Sequence, residues 1–181
     1  FSVENPFRRI TVPTMVCVLD TSGLSSGSET AFKVTVTGAA AIDGIPPEVV
    51  GLKADNTPAL IGKNLSGSDS FAMSKSEADT YQVAKVIVYG QFGSIRFDSS
   101  KALTNVKWVG GTNGWSRMFK VPAADNGMRM FEFCNKLTHV FGMTGYGAAP
   151  PAGILQSMQQ TFKSCSIFNG DVSSWDVSQV T

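Results

Sequence analysis

Two short stretches carry the reading of the fold: Met130-Phe131-Glu132-Phe133-Cys134-Asn135-Lys136-Leu137 and Thr161-Phe162-Lys163-Ser164-Cys165-Ser166-Ile167-Phe168. Set one over the other, Phe131 falls on Phe162, Cys134 on Cys165 and Leu137 on Phe168, each at an offset of 31 residues (165 − 134). A recurrence at a period of about 20–50 residues marks architectures in which one unit cannot bury its apolar face alone and is stabilised by stacking on its neighbours.

Upstream of this pair the texture differs. Residues 10–19 are β-branched and interrupted by Pro13, which argues for a strand over a helix. After a Ser- and Gly-rich loop at 20–28, Phe32, Val34 and Val36 alternate with Lys33, Thr35 and Thr37, the period of a half-buried strand. Short apolar runs at Val49-Val50-Gly51-Leu52, Ala59-Leu60-Ile61 and Phe71-Ala72-Met73 are separated by turn residues, as in an antiparallel sandwich. Residues 80–90 read as the clearest strand, apolar on both faces and therefore central, with Ile95 and Phe97 in a partner strand after a turn at 90–93. No stretch of 10–97 keeps a helical apolar stripe, so the expectation there is a mainly β, small antiparallel sandwich without helix. The expected division is an extended arm at 1–9, a sandwich at 10–97, a junction at 98–127 and repeats at 128–181.

Composition removes several function classes. The 181 residues carry 15 basic and 14 acidic side chains for a net charge of +1, and the only adjacent basic pair is Arg8-Arg9, so no basic patch points to nucleic acid. No window is apolar enough to span a membrane, and no charged-then-apolar leader opens the chain. With three cysteines, one histidine and no Cys-x-x-Cys, zinc and redox motifs are excluded. No cofactor motif is present.

The last stretch extends the repeat. Met158, Phe162, Cys165, Phe168 and Asn169, followed by Trp175-Asp176-Val177-Ser178 and Val180-Thr181, resemble one unit of the BspA-type leucine-rich repeat, a family of bacterial surface proteins with relatives in phages and other viruses. The match is specific over 155–181, and the 131–137 segment resembles a degenerate preceding unit. More weakly, Trp108-Val109-Gly110 and Trp115-Ser116-Arg117-Met118 are similar to the junction that follows a sandwich of the polycystic-kidney-disease type in such proteins. The Trp-Gly-Asp-Gly turn of those sandwiches is absent; Ala41-Ile42-Asp43-Gly44 takes its place. The resemblance implies a repeat core made of Phe131, Cys134, Leu137, Phe162, Cys165, Phe168, Trp175, Val177 and Val180, with Val172 also inward, and another repeat after Thr181. Cys134 and Cys165 read as small apolar core residues, with a disulfide across adjacent coils as the alternative.

Other candidates have plainer readings. Asn169, Asp171 and Asp176 lack the dense oxygen ladder of a calcium loop and read as turn residues. His139 with Asp98 or Asp125 has no motif-placed nucleophile beside it, which favours a structural histidine over an acid/base pair. Gly110-Gly111-Thr112-Asn113-Gly114 lacks the Gly-Lys-Ser/Thr ending and the helix of a phosphate loop and reads as a turn. Trp108, Trp115, Phe119, Phe131, Phe133 and Phe141 read as core in preference to a binding patch.

The resemblance implies a non-enzymatic structural or recognition protein displayed on a surface: a virion component (capsid fibre, decoration or tail) or a bacterial adhesin, with the sandwich as anchor or spacer and the repeats as binding surface. The missing leader and anchor and the Phe-led arm lean toward a virion part. Expected partners are other protein subunits of a particle or envelope, in an oligomeric assembly, and a host-surface protein or glycan, with no nucleic acid and no membrane insertion. The alternative is a carbohydrate-binding module of a secreted glycan-active enzyme.

Overall fold

A computed structural model describes residues 12–181; the arm expected at 1–9 lies outside the described residues. The chain is mainly β. The strands β1 (Thr14–Leu19), β3 (Glu48–Leu52), β4 (Pro58–Asn64), β6 (Lys85–Tyr89) and β8 (Leu103–Val109) form a five-stranded sheet in the order β4-β3-β6-β1-β8. A second sheet has the order β5-β2-β7, from β2 (Thr30–Ala39), β5 (Gly67–Ser74) and β7 (Ser94–Arg96). All pairings within both sheets are antiparallel.

The alternation along each strand explains the layering. Met15, Cys17 and Leu19 of β1 point into the same apolar cluster as Phe32, Val34 and Val36 of β2, so the sheets bury their facing sides together, consistent with a β-sandwich. The outer side of the larger sheet carries a second cluster with Val50, Leu52, Ile87 and Tyr89. Its middle is thus buried on both faces, and β6, apolar on both sides in the sequence, holds the central position.

Three expectations are corrected here. The strand read at 80–90 begins only at Lys85: Thr80 ends a helix, α1 (Lys75–Thr80), and residues 81–84 are a turn and connection. Ser74 starts α1 with a capping box in which its hydroxyl accepts from Glu77 N and the Glu77 carboxylate accepts from Ser74 N. The chain then turns through Gln82 at φ 55° before entering the sheet. Six residues are too few to show an apolar stripe, so the helix is invisible to periodicity.

Ile95 does not pair with β6; β7 joins the other sheet, with Val36 opposite Ile95. The crossing needs Gly90, at φ 135°, where an added Cβ would come within 2.4 Å of the Pro47 side chain. The glycine-rich segment after β8 forms a second helix, α2 (Gly111–Met118), instead of a turn. It presents Gly114, Trp115 and Met118 to the core, and Trp115 stacks on Trp108 with ring centroids 3.9 Å apart. Beyond α2 the chain runs as turns, and the sandwich core continues into it: one contiguous cluster reaches from Met15 to Trp175.

Candidate functional site

The stretch beyond β7 is organised around one local unit built three times. In residues 131–137, Cys134 N donates to the Phe131 carbonyl (3.0 Å) and Leu137 N to the Cys134 carbonyl (3.1 Å). The same two bonds recur as Cys165 N to Phe162 and Phe168 N to Cys165 (both 3.1 Å), and again as Ser100 N to Phe97 and Leu103 N to Ser100 (both 3.2 Å). Ser99, Phe133 and Ser164, the residues before the Ser or Cys, share left-handed backbone at φ 64°, 61° and 60°. We call these units rungs 1 (97–103), 2 (131–137) and 3 (162–168).

The rungs stack, and the backbone bonds between them run one way. Phe97 N donates to Met130 O and Ser99 N to Glu132 O, each at 2.7 Å, joining rung 1 to rung 2. Arg129, Phe131 and Phe133 N donate to Gln159, Thr161 and Lys163 O, each at 2.9 Å, joining rung 2 to rung 3. Donors and acceptors advance together in steps of two, the signature of parallel neighbours. Inside the stack the phenylalanines form a column: Phe97 to Phe131 at 5.9 Å and Phe131 to Phe162 at 5.5 Å between ring centroids.

The cysteines bond between rungs without pairing covalently; all three are free. Cys134 Sγ donates to the Phe97 carbonyl (3.1 Å) and Cys165 Sγ to the Phe131 carbonyl (3.0 Å). In rung 1 the same position is Ser100, whose hydroxyl donates to Lys33 O of β2 (2.8 Å) and accepts from Lys33 N (2.7 Å), so β2 closes that end of the stack. Burial pushes the Cys134 thiol well up and the half-buried Cys165 thiol up to about 11, which keeps both protonated as donors. A charge column flanks them: Glu132, nearly buried, receives Lys163 of the next rung at 3.0 Å and Arg129 at 3.7 Å.

Most of the expected core residues occupy these places. Phe131, Cys134 and Leu137 are fully buried. Trp175 is buried, stacks on Phe141 at 5.1 Å and donates from Nε1 to the Phe141 carbonyl at 2.7 Å. Phe162, Cys165, Phe168, Val172 and Val180 are only half-buried, because nothing covers the far side of rung 3 among the described residues. Val177 is a correction: it is 49% exposed and not part of the core. Of the six aromatic residues read as core, five are buried and Phe133 is 43% exposed beneath the Lys163 ammonium, 5.5 Å from its ring.

The remaining candidates take structural positions. Asp171 accepts from the Ser173 amide (2.8 Å), and Asp176 from the Ser178 hydroxyl (2.6 Å) and amide (2.9 Å), turn-forming bonds that hold both carboxyls below their usual range. His139 stacks on Tyr146 at 4.7 Å and bonds Thr138 Oγ1 at 2.9 Å, while Asp98 pairs with Lys33 at 3.1 Å, so the suggested acid/base pair is not assembled. Among the described residues no group of three or more His, Cys, Asp or Glu is placed to hold a metal.

Two features went unread in the sequence. Rung 1 escaped because its thiol is replaced by the Ser100 hydroxyl and its offset from rung 2 is 34 residues (131 − 97). Asn126, fully buried, joins three segments: Oδ1 accepts from Ile95 N (3.4 Å), Nδ2 donates to Ile154 O (2.8 Å), and its carbonyl accepts from Gln156 and Ser157. A lone asparagine in a loop carries no pattern that would reveal this. Comparison of the chain with family models, curated proteins and solved structures gives no match.

Proposed function

We propose that the rungs are the opening of a BspA-type leucine-rich repeat solenoid, and that the protein is a non-enzymatic structural or recognition component displayed on a virion or bacterial cell surface. The sheets serve as anchor and the rungs as the start of the displayed face. The observation that carries this reading is the single hydrogen-bonding unit repeated in rungs 1, 2 and 3 with one-way backbone bonds between them, the arrangement by which repeat proteins build a long surface from a short pattern. The residue after the leading aromatic varies, as Asp98, Glu132 and Lys163, while the leading aromatic is Phe in all three rungs (Phe97, Phe131 and Phe162). Such variation on a fixed frame suits recognition.

Mass spectrometry and immuno-electron microscopy of intact particles and of cell envelopes test the reading. The expected result is the protein on the outside of one of them; absence from both overturns it. An open groove of about 280 Å3 that mixes polar and apolar walls, with His139, Met143, Thr144, Asp171, Ser173 and Ser174 among its lining residues, supports the second reading, a carbohydrate-binding module. A glycan array separates the two: saturable glycan binding lost on substitution in that groove favours the module.

A further inference from the structure

The outer face of the smaller sheet carries a row of polar side chains that the fold does not use. Val36 and Ile95 stand opposite each other and belong to the core, so their chain neighbours on β2 and β7 face outward. The register sets Thr35 opposite both Ser70 of β5 and Arg96 of β7, which lines up Ser70, Thr35 and Arg96 across all three strands. With adjacent strands about 4.8 Å apart, the row is about 10 Å long. Its three residues line an open hollow of about 420 Å3, with Thr37, Ser68 and Asp69 among the other lining residues.

Arg96 sets the charge of this row. It is half-buried, and its guanidinium has no partner among the described residues. The neighbouring carboxylates are already matched by cations: Asp98 pairs with Lys33 at 3.1 Å, and Asp69 pairs with Lys63 and accepts from the amides of Ser66 and Ser70. The Thr35 and Ser70 hydroxyls also have no partner among the described residues. What remains is one uncompensated positive charge with two free hydroxyls beside it. A single charge suits a monoanion, whereas a phosphate monoester brings about −1.5 to −2. The guanidinium fork takes both oxygens of a carboxylate at once. The hydroxyls, at steps of about 5 Å, suit a polyhydroxylated body, and the row has no apolar side chain to hold an aliphatic or aromatic one.

We propose that the row Ser70, Thr35 and Arg96 binds a sugar carrying a carboxylate, of the uronate class, with the carboxylate on Arg96 and the ring hydroxyls along Thr35 and Ser70. The site shares no lining residue with the groove at His139. It rests on the sheet register and on Arg96, and so stands whatever the rungs belong to.

The test is an NMR titration of the whole chain with sodium glucuronate, read at the amides of Thr35, Ser70 and Arg96. Saturable shifts confined to these residues and their neighbours are expected, with the rung 2 and rung 3 amides unmoved. Arg96→Gln weakens binding by about tenfold or more, the loss of a charge-assisted pair. Arg96→Lys, which keeps the charge without the fork, weakens it several-fold. Glucose, which lacks the carboxylate, binds about tenfold more weakly, and acetate, which lacks the ring, several-fold more weakly. These two controls change the ligand, so the protein's folding is untouched. Four results overturn the proposal: no saturable shift at high millimolar glucuronate, acetate binding as tightly as glucuronate, undiminished binding by Arg96→Gln, or shifts centred on His139. The second would leave a bare anion site, and the fourth would give the sugar to the other groove.

Discussion

Replacing the column phenylalanines by alanine one at a time separates a closed rung from an open one with identical chemistry. Phe131 is fully buried between Phe97 and Phe162, with Phe141 at 6.1 Å. Phe131→Ala therefore falls in the range of buried Phe truncations, about 4 kcal/mol. Phe162 is half-buried on the open side, so less transfer free energy is lost and water fills part of the gap; about 2 kcal/mol is expected. For a chain of this size the melting temperatures fall by about 12 °C and about 6 °C respectively. Urea unfolding is followed by Trp fluorescence, which reports on Trp108, Trp115 and Trp175, and by far-UV circular dichroism, which reports on the sheets. Since one cluster spans Met15 to Trp175, both probes shift together in a single transition. Equal losses for the two variants would refute the open-face geometry. A shift in fluorescence with the sheet transition left in place would refute the shared core.

Three further outcomes follow. Asn126→Ala strands the Ile154 carbonyl and the Ile95 amide in the interior, costing about 2–3 kcal/mol in denaturant titration; a loss below about 0.5 kcal/mol would mean that water replaces the side chain. Alkylation by iodoacetamide at pH 8, mapped by mass spectrometry, labels Cys165 first and slowly, since its thiol is raised to about 11, and leaves the buried Cys17 and Cys134 unlabelled until denaturant is added; comparable rates at Cys134 and Cys165 would contradict the stacking. Asp20 is held at about 2, chiefly by Ser22, and Glu29 at about 2, chiefly by Lys101. Carboxylates depressed in the folded state stabilise it above their unfolded values and give that up on protonation, so stability declines as the pH falls from about 4.5 to about 2, shallowly because both groups are exposed; a loss centred above pH 5 would point to another group.

What could be read in the sequence tracks how local the cause is. Alternation in 32–36 is local and gave β2, and the two-sided apolar run read at 80–90 gave a central strand, though its start fell at Lys85. The helix α1 was locally encoded by Ser74 and Glu77, but its apolar content is one buried Ala78, too little to register as a stripe. The crossing at Gly90 was hidden because the close approach that demands glycine comes from Pro47, remote in sequence. Rungs 2 and 3 were legible because Phe and Cys recur in both. The third was masked when a hydroxyl took over the donor's work from a thiol. Val177 was misplaced because its position came from the resemblance, whereas exposure depends on what stacks beyond rung 3.

The free thiols have a consequence for where such a chain can be made. Small extracellular domains stapled by disulfides are unfinished until an oxidising compartment closes them. Here the sulfur atoms act as proton donors, and Cys134 and Cys165 each hold a carbonyl that a covalent bridge would surrender. No oxidase has to act before the fold is complete, and no cellular reductant can loosen it.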